Sequence, residues 1–385
     1  MTTVPDTRLR LLQAAALTST CDRFAIAPLL VVISLDLGAP LAAVAAVASA
    51  YFLTYGLMQP VWGIVSDRIG RVRVMRIALV GAALGGVGSV LAPDLLVLGV
   101  TRAVAGGCFA ALIPTTLVYV GDAWPADVRQ RPLSDVLAAS SLGVAAATAG
   151  AGLLADLVGW RVVPGVTAAA AVALWFALAR LPEPDRAPTG DTPWGSLLGV
   201  VRSPWAVAVL VLAFSEGVVV LGVLTFLAPA AQSLGTSATV AGFLAAGYGL
   251  GALAWSRLVR RLVGRVSPAG LAAIGGAFLV AAWAVPAVAV NLVTIAVAGV
   301  LVGGAWAFLH STLQAWVTEV VPGQRASAVA LFAASLFLGS AAGTSLFAGP
   351  AEAGAYPLVF GVAAAAALPI AVASATGRRA YARRG

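Results

Sequence analysis

Residues 63–73 read GIVSDRIGRVR, from Gly63 through Asp67, Arg68, Gly70 and Arg71 to Arg73. This charged island stands between two apolar runs, residues 43–65 with no charge and residues 74–92 with only Arg76. About 20 apolar residues wound as a helix cross the hydrocarbon core of a bilayer. Within lipid, a helix meets all its backbone hydrogen-bonding needs inside one segment. The island therefore reads as a tight connection between two membrane-spanning helices.

The same alternation runs along the whole chain. Of its 385 residues, 61% are hydrophobic and 10% charged, against roughly 45–50% and 25% in soluble domains. The runs predict twelve spanning helices near residues 11–34, 43–65, 74–92, 95–118, 132–154, 161–180, 204–227, 240–260, 267–288, 291–315, 326–347 and 355–376. An outer-membrane barrel is excluded, because its strands alternate in and out over about ten residues. The first run follows Arg8 and Arg10 as a signal peptide would, but it is too long and carries Asp22 and Arg23. It is expected to remain as a helix.

All 23 basic residues are arginine. On this map Arg161 alone falls in an outer loop and Arg23 and Arg102 fall inside helices, while the rest lie on one side. That side is expected to be cytoplasmic, with both termini on it. The net charge of +8 then answers topology and anionic lipid rather than nucleic acid. Without lysine there is no Walker A loop and no Schiff base. Cys21 and Cys108 lack partner spacing and a single histidine makes no HExxH site, so neither metal nor cofactor is expected. The expected partners are the bilayer, a small-molecule substrate and protons, for a monomer in the cell membrane.

Internal repetition divides the chain. Gly106-Gly107, Thr115, Asp122 and Pro125 recur 197 residues later as Gly303-Gly304, Thr312, Glu319 and Pro322, and Arg129 is echoed by Arg325. Tyr55-Gly56-Leu57 recurs as Tyr248-Gly249-Leu250. Between the repeats, residues 181–203 form the longest polar stretch and are expected to be a linker. The expected units are 1–180 and 204–385, related halves of the kind that rock about a central site.

The 63–73 island resembles the loop signature of the major facilitator superfamily. Arg102 with Gly106-Gly107 is similar to the family's fourth-helix motif, with Ala105 where Gln is common, and Gly159-Trp160-Arg161 is similar to the opening of its sixth helix. The drug/proton antiporter branch carries Gly-Pro late in helix 5, where this chain has Ala147-Thr148. The resemblance implies an all-α membrane fold of twelve helices in two pseudo-symmetric six-helix bundles. It also implies a secondary transporter rather than an enzyme, with Gly63, Asp67, Arg68, Gly70, Arg71 and Arg73 as a cytoplasmic gate. In physical terms, Gly63 permits close helix approach, Asp67 accepts from arginines and a neighbouring helix N-terminus, and Gly70 allows the turn.

Ionisable residues inside a membrane cost at least about 2.5 kcal/mol each on insertion scales, so each invites a functional reading. Asp22 and Arg23 lie about twelve residues into the first run and point about 100° apart on a helix. Glu216 is equally deep in the seventh run. Asp22 and Glu216 are expected to approach a central cavity from opposite halves and exchange protons there. The structural alternative is a buried ion pair of either carboxylate with Arg23 or Arg102. Arg102 and His310 are further candidates for proton coupling or substrate binding. Phe24, Tyr51, Tyr55, Gln59, Trp306 and Gln314 are the expected cavity lining. Two carboxylates with aromatic cover suit proton-coupled efflux of small lipophilic or cationic compounds. Arg23, Arg102 and the missing Gly-Pro suit proton-coupled uptake or exchange of a small organic anion or metabolite.

Overall fold

The computed structural model describes residues 7–125, 127–184 and 193–383. The first half comprises α1 (Thr7–Phe24 continued as Ile26–Leu37), α2 (Leu41–Ile69), α3 (Arg71–Val90), α4 (Leu95–Ala123), α5 (Gln130–Val158) and α6 (Val162–Leu178). After a short α7 (Pro193–Arg202) come α8 (Pro204–Gln232), α9 (Ala238–Leu262), α10 (Pro268–Val288), α11 (Leu292–Val320), α12 (Arg325–Glu352) and α13 (Tyr356–Ala382). Ten of these helices are long and apolar enough to cross a membrane, the bent α1 pair makes an eleventh, and the 17-residue apolar α6 stands in the twelfth place. Leu84, Leu96, Leu157 and Phe176 are exposed on the outside of the bundle, as a lipid-facing surface requires.

The observed helices differ from the expected runs in ways that proline explains. α1 bends by 42° at Ala25, α4 breaks at Ala110–Ala111 and α8 at Thr225–Phe226. Pro28, Pro114 and Pro229 follow these breaks by three or four residues. Each removes the N–H that would bond to the carbonyl four residues back and crowds that carbonyl with its ring. Two further irregularities are π-helical turns, Val218–Gly222 in α8 and Trp306–His310 in α11. The polar stretch expected to be an irregular linker holds the ten-residue α7; residues 185–192 of that stretch lie outside the described residues.

The 63–73 island is mostly helix rather than loop. α2 continues to Ile69 and α3 starts at Arg71, so Gly70 alone makes the turn, with φ +117°. The arginine that topology leaves on the wrong side is also accounted for. Arg161 pairs with Asp36 at 2.5 Å, and the Trp160 indole donates to the same carboxylate at 2.9 Å.

The halves meet along two equivalent seams, α2 on α12 and α5 on α9. Contacts that join them gather at the end away from the arginine-rich loops. There the Ala42 amide donates to Glu352, Thr239 donates twice to Asp156 at 2.6 and 2.8 Å, and Gln232 donates to the Pro28 carbonyl at 2.9 Å. At mid-depth Ser49 donates to the Ala341 carbonyl at 2.7 Å, and Gly56 packs on α12, where an added Cβ would lie 3.1 Å from the Ala334 carbonyl. Gly63 sits seven residues on, along the same helix face, and a Cβ there would meet nothing within 4 Å. The close approach expected at Gly63 is thus absent, because the seam parts toward the arginine-rich end.

Candidate functional site

Asp22 and Arg102 form a pair within the first half. Arg102 donates from Nη1 to Asp22 Oδ1 at 3.0 Å and from Nη2 to Oδ2 at 2.6 Å, with a third bond to the Asp22 carbonyl. Thr167 on α6 donates to Oδ1 at 2.7 Å, and the Tyr51 ring lies 4.9 Å beneath the guanidinium. Asp22 and Arg102 are 2% and 5% exposed. Asp22 was expected to face the central cavity opposite Glu216. It turns instead into the helices of its own half, because the forked guanidinium of α4 satisfies both of its oxygens.

Arg23 takes the other direction and faces the seam. A small cavity lies there, lined by Arg23, Phe24, Phe52 and Thr148 from one half and Leu221, Leu224 and Tyr248 from the other. The guanidinium carbon lies 5.0, 5.0 and 5.1 Å from the rings of Phe24, Tyr55 and Phe337, close enough for cation–π attraction. Its Nη1 donates to the Tyr55 hydroxyl at 2.8 Å.

Glu216 and His310 meet inside the second half, with His310 Nδ1 3.2 Å from Glu216 Oε2. Glu216 is fully buried and its Oε1 has no hydrogen-bond partner among the described residues. Each member adjoins one of the π turns, Glu216 just before Val218–Gly222 and His310 at the end of Trp306–His310. Such turns often mark functional positions in helices. Trp306 stacks on His310 at 3.7 Å, Tyr248 meets Trp306 edge-on at 6.1 Å, and Phe24 lies 5.7 Å from Tyr248. A continuous file of rings therefore joins the seam cavity to the buried pair.

The remaining expected lining residues are placed more simply. Tyr51 and Tyr55 stack at 6.1 Å, with Tyr51 tied to the Arg102 side and Tyr55 to Arg23. Gln59 is buried on α2 one turn beyond Tyr55, and Gln314 is half-buried on α11 one turn beyond His310. Tyr248 and Phe337 complete the seam site and were not singled out as lining. The Tyr55–Tyr248 repeat was the available signal for the first, whereas Phe337 has none.

The gate motif is assembled around Arg71. It donates to Asp67 at 2.5 Å, to Asp122 at 3.0 Å and to Ser66 at 3.1 Å. The start of α3 is met by Glu183, whose carboxylate accepts from the backbone N–H groups of Arg71 and Val72. At the N-terminus of α3 the acceptor is Glu183, because the one-residue turn at Gly70 leaves α3 pointing at the segment after α6. A Cβ on Gly70 would lie 2.6 Å from that carboxylate. Arg68 and Arg73 are exposed beside this cluster. In the second half Arg378 donates to Glu319, the repeat partner of Asp122.

Comparison with known proteins follows the same lines. The chain is similar to the nucleoside transporter NupG, with a TM-score of 0.80 and 14% identity over 95% of this chain and 98% of that one. It is similar to a bacterial homologue of the lysosomal transporter Spinster, with a TM-score of 0.76 and 18% identity over 98% of both. It also resembles the proton:xylose symporter XylE, with a TM-score of 0.73 and 15% identity over 95% and 94%. In sequence it is 33% identical to a triacylglyceride transporter of Mycolicibacterium smegmatis over 132 residues, 34% of this chain and 24% of the relative. A triacylglyceride transporter of Mycolicibacterium hassiacum is 39% identical over 97 residues, 25% and 18% of the two chains. The match thus spans about a quarter or less of these relatives' own length. The model of the Major Facilitator Superfamily covers residues 13–344, and with its helices, repeats and Gly63–Arg73 motif in place this chain belongs to that superfamily.

Proposed function

We propose that this protein exports small lipophilic molecules across the cell membrane in exchange for protons, by alternating access. The bundles 1–180 and 204–385 rock about the α2–α12 and α5–α9 seams, with the arginine-rich side facing the cytoplasm. The observation that carries proton coupling is the Glu216–His310 pair. Glu216 is fully buried with one oxygen unpartnered among the described residues, and proton relays inside membranes are built from buried side chains that hand on a proton. The imidazole 3.2 Å away can give or accept one. The ring contacts of Trp306 and Tyr248 support the reading, since they link the pair to the wall of the seam cavity. Apolar and aromatic walls suit lipophilic cargo, and the partial sequence relatives bear the name triacylglyceride transporter.

Purified protein in liposomes under a pH gradient tests this reading. Lipophilic compounds drive proton movement in the wild type, and Glu216→Gln abolishes it while gradient-free exchange of the compound persists. Undiminished proton movement in Glu216→Gln defeats the assignment. One observation favours a second reading, uptake or exchange of a small organic anion: among the described residues, the cation in the seam, Arg23, makes no ion pair with a carboxylate.

A further inference from the structure

Arg23 is a charge in the seam without a counter-ion. Asp22 is held by Arg102 and Thr167, and the Glu216 carboxylate is bonded to His310. Among the described residues Arg23 makes one hydrogen bond, to the Tyr55 hydroxyl, and its Nε is buried with no acceptor. A guanidinium carries five N–H donors in one plane, and of these Nε is the one enclosed without an acceptor. Phe24, Tyr55 and Phe337 attract its charge but supply no acceptor beyond the Tyr55 oxygen.

A buried donor without an acceptor costs about 1–3 kcal/mol, a cost that a ligand acceptor removes. The acceptor that best fits a guanidinium edge is a planar or tetrahedral oxyanion. Beside it the cavity walls are mostly apolar, with Ile26, Ala27, Leu221, Leu224 and Ala245, while the hydroxyls of Thr148 and Thr225 donate to backbone carbonyls of their own helices. We infer that Arg23, in its ring of Phe24, Tyr55 and Phe337, is the head-group site for an amphipathic oxyanion, a carboxylate or phosphate monoester with an alkyl chain lying along Leu221 and Leu224. This rests on the reading of the seam cavity as the substrate site, and it narrows the cargo from lipophilic molecules in general to lipophilic anions.

Equilibrium binding of radiolabelled octanoate to the full chain in zwitterionic nanodiscs, with no pH gradient, tests it. Octyl phosphate displaces octanoate, whereas octanamide and octylammonium do so at least about tenfold more weakly, the margin expected for charge-assisted hydrogen bonds. Inorganic phosphate displaces none, because the chain is needed as well as the head. Arg23→Gln loses at least about tenfold in octanoate affinity, and Arg23→Lys, which keeps the charge but not the fork, falls between. Equal displacement by octanamide or octylammonium overturns the assignment, as does wild-type affinity in Arg23→Gln. Displacement by inorganic phosphate as good as by octyl phosphate overturns the amphipathic part. The competition series in the wild type needs no variant to fold. Octanoate binding without proton movement leaves the head-group site standing and removes the coupling; proton movement driven only by octylammonium does the reverse.

Discussion

Asp22 and Arg102 illustrate how expensive a mutually satisfied residue pair inside a membrane protein is to disturb. Both are buried and mutually satisfied, so removing one partner strands the other. Breaking such a pair costs roughly 3–5 kcal/mol, whereas replacing both members by apolar groups of similar size is often close to neutral. Asp22→Asn is therefore expected to lower the thermal unfolding midpoint in detergent sharply, and Asp22→Leu combined with Arg102→Met to recover most of the loss; equal destabilisation by the double variant would falsify this assignment. The sequence already required Asp22 and Arg23 to diverge, since neighbours on a helix point about 100° apart. Which of them faced the cavity was not legible, because the answer depends on Arg102 and Thr167, 80 and 145 residues away. The Glu216–His310 contact was hidden for the same reason, being made across 94 residues.

At the level of elements, the apolar runs fell on the ten helices long enough to cross a membrane, on the bent α1 pair and on the shorter α6, because length and hydropathy are read locally. The breaks in α1, α4 and α8 were legible in principle from Pro28, Pro114 and Pro229. The π turns were not, since they depend on how α8 and α11 are gripped by their neighbours. α8 and α12 touch backbone to backbone: a Cβ on Gly217 would overlap the Leu336 carbonyl, and one on Gly339 the Phe214 carbonyl. Rigid carbonyls cannot step aside, so the helices must separate. Gly339→Ala is expected to cost about 1–3 kcal/mol, in the range of other overpacked cores, seen as a lower midpoint of thermal unfolding. Gly121→Ala, where an added Cβ meets nothing within 4 Å, serves as the control and leaves the midpoint unchanged or raised. A Gly339→Ala protein as stable as that control means the α8–α12 contact is looser than described.

Across the whole molecule, the hydrogen bonds that join the halves lie toward one end of the seam, and at Gly63, toward the arginine-rich end, α2 has no close neighbour. Gly63→Cys, in a background lacking Cys21 and Cys108, should react with a membrane-impermeant maleimide supplied from that side, and Ala48→Cys, buried far along the same helix, should not. Protection of the Gly63 position from both sides would contradict an open seam. The halves are also tethered. Glu183 is bonded to the start of α3 within the gate, and α7, beginning at Pro193, packs with Gly199 against Gln324 just before α12. Only the ten residue steps from Glu183 to Pro193 separate these two moorings, a leash that even fully drawn out spans no more than about 36 Å. The leash is longest-suffering when the arginine-rich side gapes, so shortening it sets a ceiling on the aperture and thereby on the bulk of cargo that can board.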